Sequence, residues 1–246
     1  MLSLPKLCII AGPTASGKTA FAIKKAQQIN GEIISADSMQ VYKHMNIGTA
    51  KPTVEEMEGV PHHLLDVAMP SQNFSVADYT ALANIAIQDI LSRGKTPILA
   101  GGTGFYINAI IRGTSFEPGQ NNEHQQEALL REEYTKLAQE QGAEVVHQKL
   151  QELDPKYASL VHPNNIKKVA RAISFCLTTG KLFSKHNEQQ RAEVAKYDLD
   201  FFVLNMDREA LYSRINSRVL TMWDMGLTKE VEWLLAQGFG KTLPAM

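Results

Sequence analysis

The chain has 246 residues, a formal net charge of −1, 44% hydrophobic side chains and 21% charged ones. That is ordinary for one globular domain carrying a smaller insert. The charge balance excludes a general nucleic-acid binder, no stretch approaches the roughly 18 apolar residues that span a bilayer, and Cys8 and Cys176 are too few for a disulfide framework or a metal site of their own, so a reduced, cytoplasmic protein is expected.

The opening MLSLPKLCII lacks a charged leader region and a cleavage site, and so reads as a strand and not as a signal peptide. Residues 7–11 (LCIIA) form an unbroken apolar run, the pattern of a buried parallel strand. From 19 to 30, Phe21, Ile23, Ala26 and Ile29 keep helical spacing, and Asn30-Gly31 ends the helix. A second short strand is predicted over 32–36, and 64–67 is a candidate third. Ser75 caps the clearest helix, with Asp78 as its reciprocal carboxylate. The stripe Val76, Tyr79, Leu82, Ala83, Ala86, Ile87, Ile90 and Leu91 follows until Gly94 stops it. Residues 97–100 read as another buried strand, 117–196 as polar and helical, 201–204 as a strand, and 208–225 and 229–237 as helices.

This alternation predicts an α/β fold, a P-loop-type parallel sheet flanked by helices, with a core domain of residues 1–116 and 197–246 and a helical insert domain of residues 117–196.

Gly12-Pro13-Thr14-Ala15-Ser16-Gly17-Lys18-Thr19 fits the phosphate-loop pattern G-x-x-x-x-G-K-[ST]. Such a loop turns its backbone N–H groups around phosphate oxygens and aims a helix N-terminus at the anion. Lys18 adds a positive charge, and Thr19 offers a hydroxyl to Mg²⁺. The pattern establishes a phosphate site without naming the owner of the phosphate. The strand over 97–100 ends in Gly101-Gly102-Thr103, without the second acid that nucleotide triphosphatases use, and no N-K-x-D motif is present. Asp37 is the acid that directly follows a core strand, where sheet ends line a ligand crevice.

The segments GPTASGKT, DSMQVYKHMNIGTAKPT (37–53), GGTGFYINAI (101–110) and HPNN with KKVARAI (162–173) stand in the order and spacing of the tRNA dimethylallyltransferase family, which the chain resembles along essentially its whole length. The resemblance implies an enzyme that moves a dimethylallyl group from dimethylallyl diphosphate to N6 of the adenine next to the anticodon of tRNA. It implies that Asp37 takes the N6 proton as general base. Gly12 through Thr19, with Mg²⁺ at Thr19, would hold the departing pyrophosphate. Thr103 would lie beside the reacting groups, and Arg214 and Arg218, one helical turn apart, would approach the pyrophosphate.

Asp37, Ser38, Met39, Gln40 and Thr103 match the part that meets the base extruded from its stack. Lys167, Lys168, Val169, Ala170 and Arg171 match the segment that touches tRNA, and they lie in a stretch, 161–196, where bases outnumber acids. The same excess also fits a solvated helix face. Gln125 stands where members often carry arginine, so a tRNA contact there is neutral or absent. His62-His63 lacks helical zinc spacing. Family members usually continue past the end of this chain with further tRNA-contacting helices, so either a shortened relative or part of a longer protein is expected, as a monomer. Three rivals remain open at this level: a small-molecule kinase using the same loop, a prenyltransferase acting on free adenylates, and a non-catalytic RNA-binding module.

Overall fold

The structure, a computed structural model, describes residues 4–113, 121–191 and 196–240, and for 121–125 and 189–191 the backbone alone. In chain order the elements are β1 (Lys6–Ala11), α1 (Lys18–Ile29), β2 (Gly31–Ser35), β3 (His62–His63), α2 (Val76–Ser92), β4 (Thr96–Gly101) and α3 (Gly104–Arg112). Then come α4 (Asn121–Gln141), α5 (Ala143–Leu153), α6 (Pro155–Ala158), α7 (Ile166–Thr179) and α8 (Phe183–Arg191), followed by β5 (Asp198–Val203), α9 (Arg208–Asp224) and α10 (Leu227–Ala236). Two compact units result, one of residues 1–113 with 195–246 and one of residues 114–194. The sequence placed the breaks at 116/117 and 196/197.

The first unit holds a parallel sheet of order β3-β2-β4-β1-β5. The apolar run of β1 is unbroken because both faces of this inner strand are covered. Leu7, Ile9, Ile34 and Leu99 pack against Tyr79, Ile87 and Ile90 of α2 and Ile107 and Ile110 of α3. Cys8, Ile10, Ile33 and Ile98 pack on the other face against Ala22, Ile23 and Ala26 of α1. Each fully buried Leu or Ile contributes roughly 1.5–3 kcal/mol relative to an exposed one. Helix α2 carries the expected capping box, with Ser75 accepting from the Asp78 N–H and Asp78 accepting from that of Ser75. The chain leaves β1 and returns in β2, with β4 between them, so a crevice opens at the carboxyl ends of these strands. There β2 and β4 approach so closely that a Cβ at Gly101 would collide with the Ala36 backbone.

One expected strand is displaced. Leu64 and Asp66 have φ of 62° and 56°, left-handed values that a strand does not accommodate. Extended pairing with β2 therefore stops at His62–His63. The chain then turns back toward residues 41–43, with Val67 N–H donating to the Val41 carbonyl at 2.8 Å.

The second unit is helical among its described residues. Val146, Leu150, Val169, Ile173 and Phe183 form its core. Asp154 is fully buried and accepts from the Tyr157 N–H (3.0 Å), the Ser184 N–H (2.7 Å) and the Ser184 hydroxyl (2.8 Å). Burial alone would raise its pKa; these hydrogen bonds outweigh burial and hold the carboxyl below its ordinary value.

Candidate active site

The phosphate loop joins the buried end of β1 to α1. Gly17 has φ 89°, a left-handed value that glycine takes without strain. A Cβ at Gly12 would stand 2.7 Å from the Leu204 carbonyl oxygen, so the loop needs glycine at both ends. Ala15 is also left-handed, with φ 63°. Lys18 folds back over the loop, its Nζ donating to the Pro13 carbonyl at 2.6 Å. The Ser16 hydroxyl is buried and has no hydrogen-bond partner among the described residues. Pro13, Thr14 and Thr19 are exposed.

Asp37 follows β2 in a tight turn. Its Oδ1 accepts from the Met39 N–H at 2.9 Å and the Gln40 N–H at 3.4 Å, and Oδ2 has no hydrogen-bond partner among the described residues. The turn is stapled to the end of β4. Thr103 N–H donates to the Ala36 carbonyl at 3.0 Å, and its Oγ1 accepts from the Ser38 N–H at 3.0 Å. The backbone of Ser38 thus holds the Thr103 side chain, and Met39 is exposed.

A small open cleft lies between these parts, with Lys18, Thr19, Ser35, Asp37, Gln40 and His62 among its lining residues. Burial lowers the Lys18 pKa, the nearby Asp37 carboxylate pulls it back up, and Arg218 pushes it down again, for a net lowering. Arg218 of α9 is therefore close enough to be felt at the loop. Arg214, one turn earlier, brings a guanidinium nitrogen to 3.8 Å from where a Cβ on Gly17 would stand. Lys18, Thr19 and Asp37 line one crevice, and Arg214, far away in sequence, stands beside the loop.

Two cleft residues have partners that the sequence does not show. Gln40 was matched to the base-contacting segment. Its Nε2 donates to the carbonyls of Thr49 (3.2 Å) and Ala50 (3.1 Å), and its Oε1 accepts from the Ser35 hydroxyl (3.1 Å), so its amide is engaged inside the unit. The sequence assigns no role to His62. Its Nδ1 lies 2.8 Å from the Val60 carbonyl, which only accepts, so Nδ1 carries the proton. Nε2 is then a bare acceptor, buried and unpartnered among the described residues. Burial, opposed by the Val60 bond and helped by His63, lowers its pKa. The signal that finds His62 is alternation along a strand beside Ile33, which lines the same cleft.

In the helical unit, Lys167, Lys168 and Arg171 are exposed on α7, and the Arg171 guanidinium lies 5.9 Å from the Phe183 ring centroid. Val169 and Ala170 are buried, at 1% and 0% exposure. They sit on the inward stripe of an amphipathic helix, so they are corrected to core residues and the possible RNA face narrows to the three cations. Gln125 lies in α4, and its side chain falls outside the described residues.

Residues 40–246 match the family described as IPP transferase. A tRNA dimethylallyltransferase of Lachnoclostridium phytofermentans is 50% identical over 240 residues, covering 98% of this chain and 75% of the relative. The crystal structure of a tRNA delta(2)-isopentenylpyrophosphate transferase from Staphylococcus epidermidis superposes with TM-score 0.64 at 43% identity, over 98% of this chain and 76% of that one. A eukaryotic dimethylallyltransferase captured acting on tRNA superposes with TM-score 0.79 at 30% identity, over 95% of this chain and 56% of that one. The chain thus spans about three quarters of the length of its bacterial relatives. Both the extent of these matches and their identities place the chain in the IPP transferase family, among the tRNA dimethylallyltransferases.

Proposed function

We propose that the chain transfers a dimethylallyl group from dimethylallyl diphosphate to N6 of an adenine next to the anticodon of tRNA. The observation that carries this reading is a cleft lined by Lys18 and Thr19 of the phosphate loop and by Asp37, whose Oδ2 has no partner among the described residues, with the Arg214 guanidinium beside the loop. The adenine N6 lone pair attacks the allylic carbon, the carbon–oxygen bond to the diphosphate breaks, and pyrophosphate leaves with the bond electrons. Asp37 Oδ2 takes the N6 proton, as a positioned general base. The loop N–H groups, Lys18, Arg214 and Arg218 stabilise the charge that grows on the leaving oxygens.

The site fits a diphosphate with Mg²⁺. The orphaned Ser16 hydroxyl awaits an acceptor, and Thr19 offers an oxygen at the start of α1. Among the described residues no cluster of three or more His, Cys, Asp or Glu is placed to hold a metal, so Thr19 and the phosphate oxygens would carry most of the coordination. When bound, Mg²⁺ supplies charge stabilisation to the pyrophosphate.

On the RNA side, Lys167, Lys168 and Arg171 would meet phosphates of the anticodon stem-loop. No described helix is long and apolar enough to cross a membrane. Transfer of a labelled dimethylallyl group to an anticodon stem-loop, with free AMP in parallel, tests the reading. Label on AMP alone would favour an adenylate prenyltransferase, and tight ATP binding without dimethylallyl diphosphate binding would favour a kinase.

A further inference from the structure

The cleft wall on the Asp37 side is held from a distance of more than 180 residues. Glu230 sits in the first turn of α10, behind the left-handed Gly226. Its Oε2 accepts from the Asn46 N–H and the Ile47 N–H, both at 2.8 Å, and its Oε1 accepts from the Gly48 N–H at 2.9 Å. Three successive backbone donors converging on one anion form a nest, and each bond is charge-assisted. Two further contacts join the same partners. The His44 and Trp233 rings lie 4.9 Å apart, and Gly48 leaves room for Leu227, whose Cδ1 would stand 3.2 Å from a Cβ there.

The other end of this loop reaches the cleft. Gln40 grips the Thr49 and Ala50 carbonyls, and the Lys51 ammonium holds the Tyr42 carbonyl at 2.8 Å and Asn46 Oδ1 at 3.0 Å. Gln40 and Pro52 then line the cleft beside Asp37. His44 and Ala50 have φ of 67° and 46°, a backbone that persists only when its surroundings over-determine it. None of these bonds touches Pro13, Ser16, Lys18 or Thr19.

We infer that Glu230 is a positioning residue for the acceptor side of the cleft, fixing the 46–52 loop and through it Gln40, Pro52 and the Asp37 turn against the incoming adenine. The inference rests on the functional reading above. Glu230 contacts neither substrate. It acts by holding a nest that would otherwise be satisfied by water and left free to relax.

The test compares wild type, Glu230→Gln and Glu230→Ala in the full chain. Amide exchange is followed at residues 46–48, dimethylallyl diphosphate binding is measured directly, and kinetics are taken with an anticodon stem-loop. In Glu230→Ala, exchange at 46–48 should accelerate and KM for the stem-loop should rise roughly tenfold or more, the scale at which small misplacements are felt. Donor affinity should stay level and kcat should move less than KM. Glu230→Gln keeps an acceptor oxygen for part of the nest and should fall between the two. Unchanged exchange, or faster exchange with an unchanged KM, overturns the inference, as does a loss of donor affinity matching the rise in KM. A wild-type chain that transfers nothing to the stem-loop overturns the functional reading itself, and the inference with it.

Discussion

Strands β2 and β5 belong to one sheet and face different surroundings. Every residue of β2 is buried, whereas β5 pairs with β1 along its length yet leaves Leu199, Phe201 and Val203 exposed. The helices follow suit. Helix α2 buries six residues, and α9 buries none while exposing Tyr212, Val219, Leu220 and Trp223. The phosphate loop and Asp37 hang from covered strands, whose packing fixes them before any ligand arrives. Arg214 and Arg218 come instead from the thinly covered helix, and low apolar contact marks the segments that open first. The donor loop thus hangs from covered strands, and the two arginines stand on a helix with no buried residue among those described.

The sharpest way to break this division is at the chemistry of the covered side. Asp37→Asn keeps shape but cannot accept a proton, so kcat and kcat/KM should fall about 10²–10⁴-fold with donor binding intact. If donor or Mg²⁺ binding failed first, Asp37 would belong to the metal shell and not to proton transfer. Next comes packing. Leu99→Ala removes a fully buried side chain and should cost about 2–5 kcal/mol in a denaturant titration.

Acid should act on the covered side as well. Glu32 is buried and paired with Arg93, Lys95 and His63. The Arg93 bond first, and then those of Lys95 and His63, outweigh burial and hold its carboxyl far below the ordinary 4.5. A depressed folded-state pKa means that its contribution is whole above 4.5 and is lost as pH falls toward the folded value. Stability followed downward from pH 5 should therefore decline less steeply in Glu32→Gln than in wild type.

A smaller effect is expected in the helical unit. Lys167→Ala with Lys168→Ala should flatten the salt dependence of stem-loop binding by about one unit of slope per phosphate contact removed, with donor binding unchanged. Parallel slopes would return that surface to plain solvation. The smallest effect is assigned to the thin side, where Leu220→Ala should stay within about 0.5 kcal/mol. A cost near that of Leu99→Ala would erase the contrast.

Much of the covered side was legible in the sequence. Short buried runs announced β1 and β4, the Ser75–Asp78 pair announced α2, and G-x-x-x-x-G-K-T announced the loop, because each is encoded by neighbours. The membership of Val169 and Ala170 in the core was readable from the 3.6 period of α7 but was overridden by matching a contiguous segment. The clamp of Gln40 on Thr49 and Ala50, and that of Glu230 on residues 46–48, leave no local trace. A carboxylate on a helix looks solvated until the fold brings backbone donors to it from the other end of the chain. Left-handed backbone at Leu64 was equally hidden, since a leucine side chain disfavours it, whereas Asp66 is of a type that enters that region more readily.

The adjacent imidazoles of β3 have a consequence for strand register. His63 is tied to Glu32 at 2.8 Å, on the face of β2 turned away from the cleft, and consecutive residues of a strand point to opposite sides. His62, opposite Ile33, must then turn toward the cleft. A slip of one position would exchange the two rings, sending His62 to the carboxylate and its neighbour to the cleft. With only two paired residues, β3 has little hydrogen bonding with which to resist such a slip. The buried Glu32 supplies the discrimination, acting as a keyed stop that admits one alignment of two otherwise interchangeable side chains.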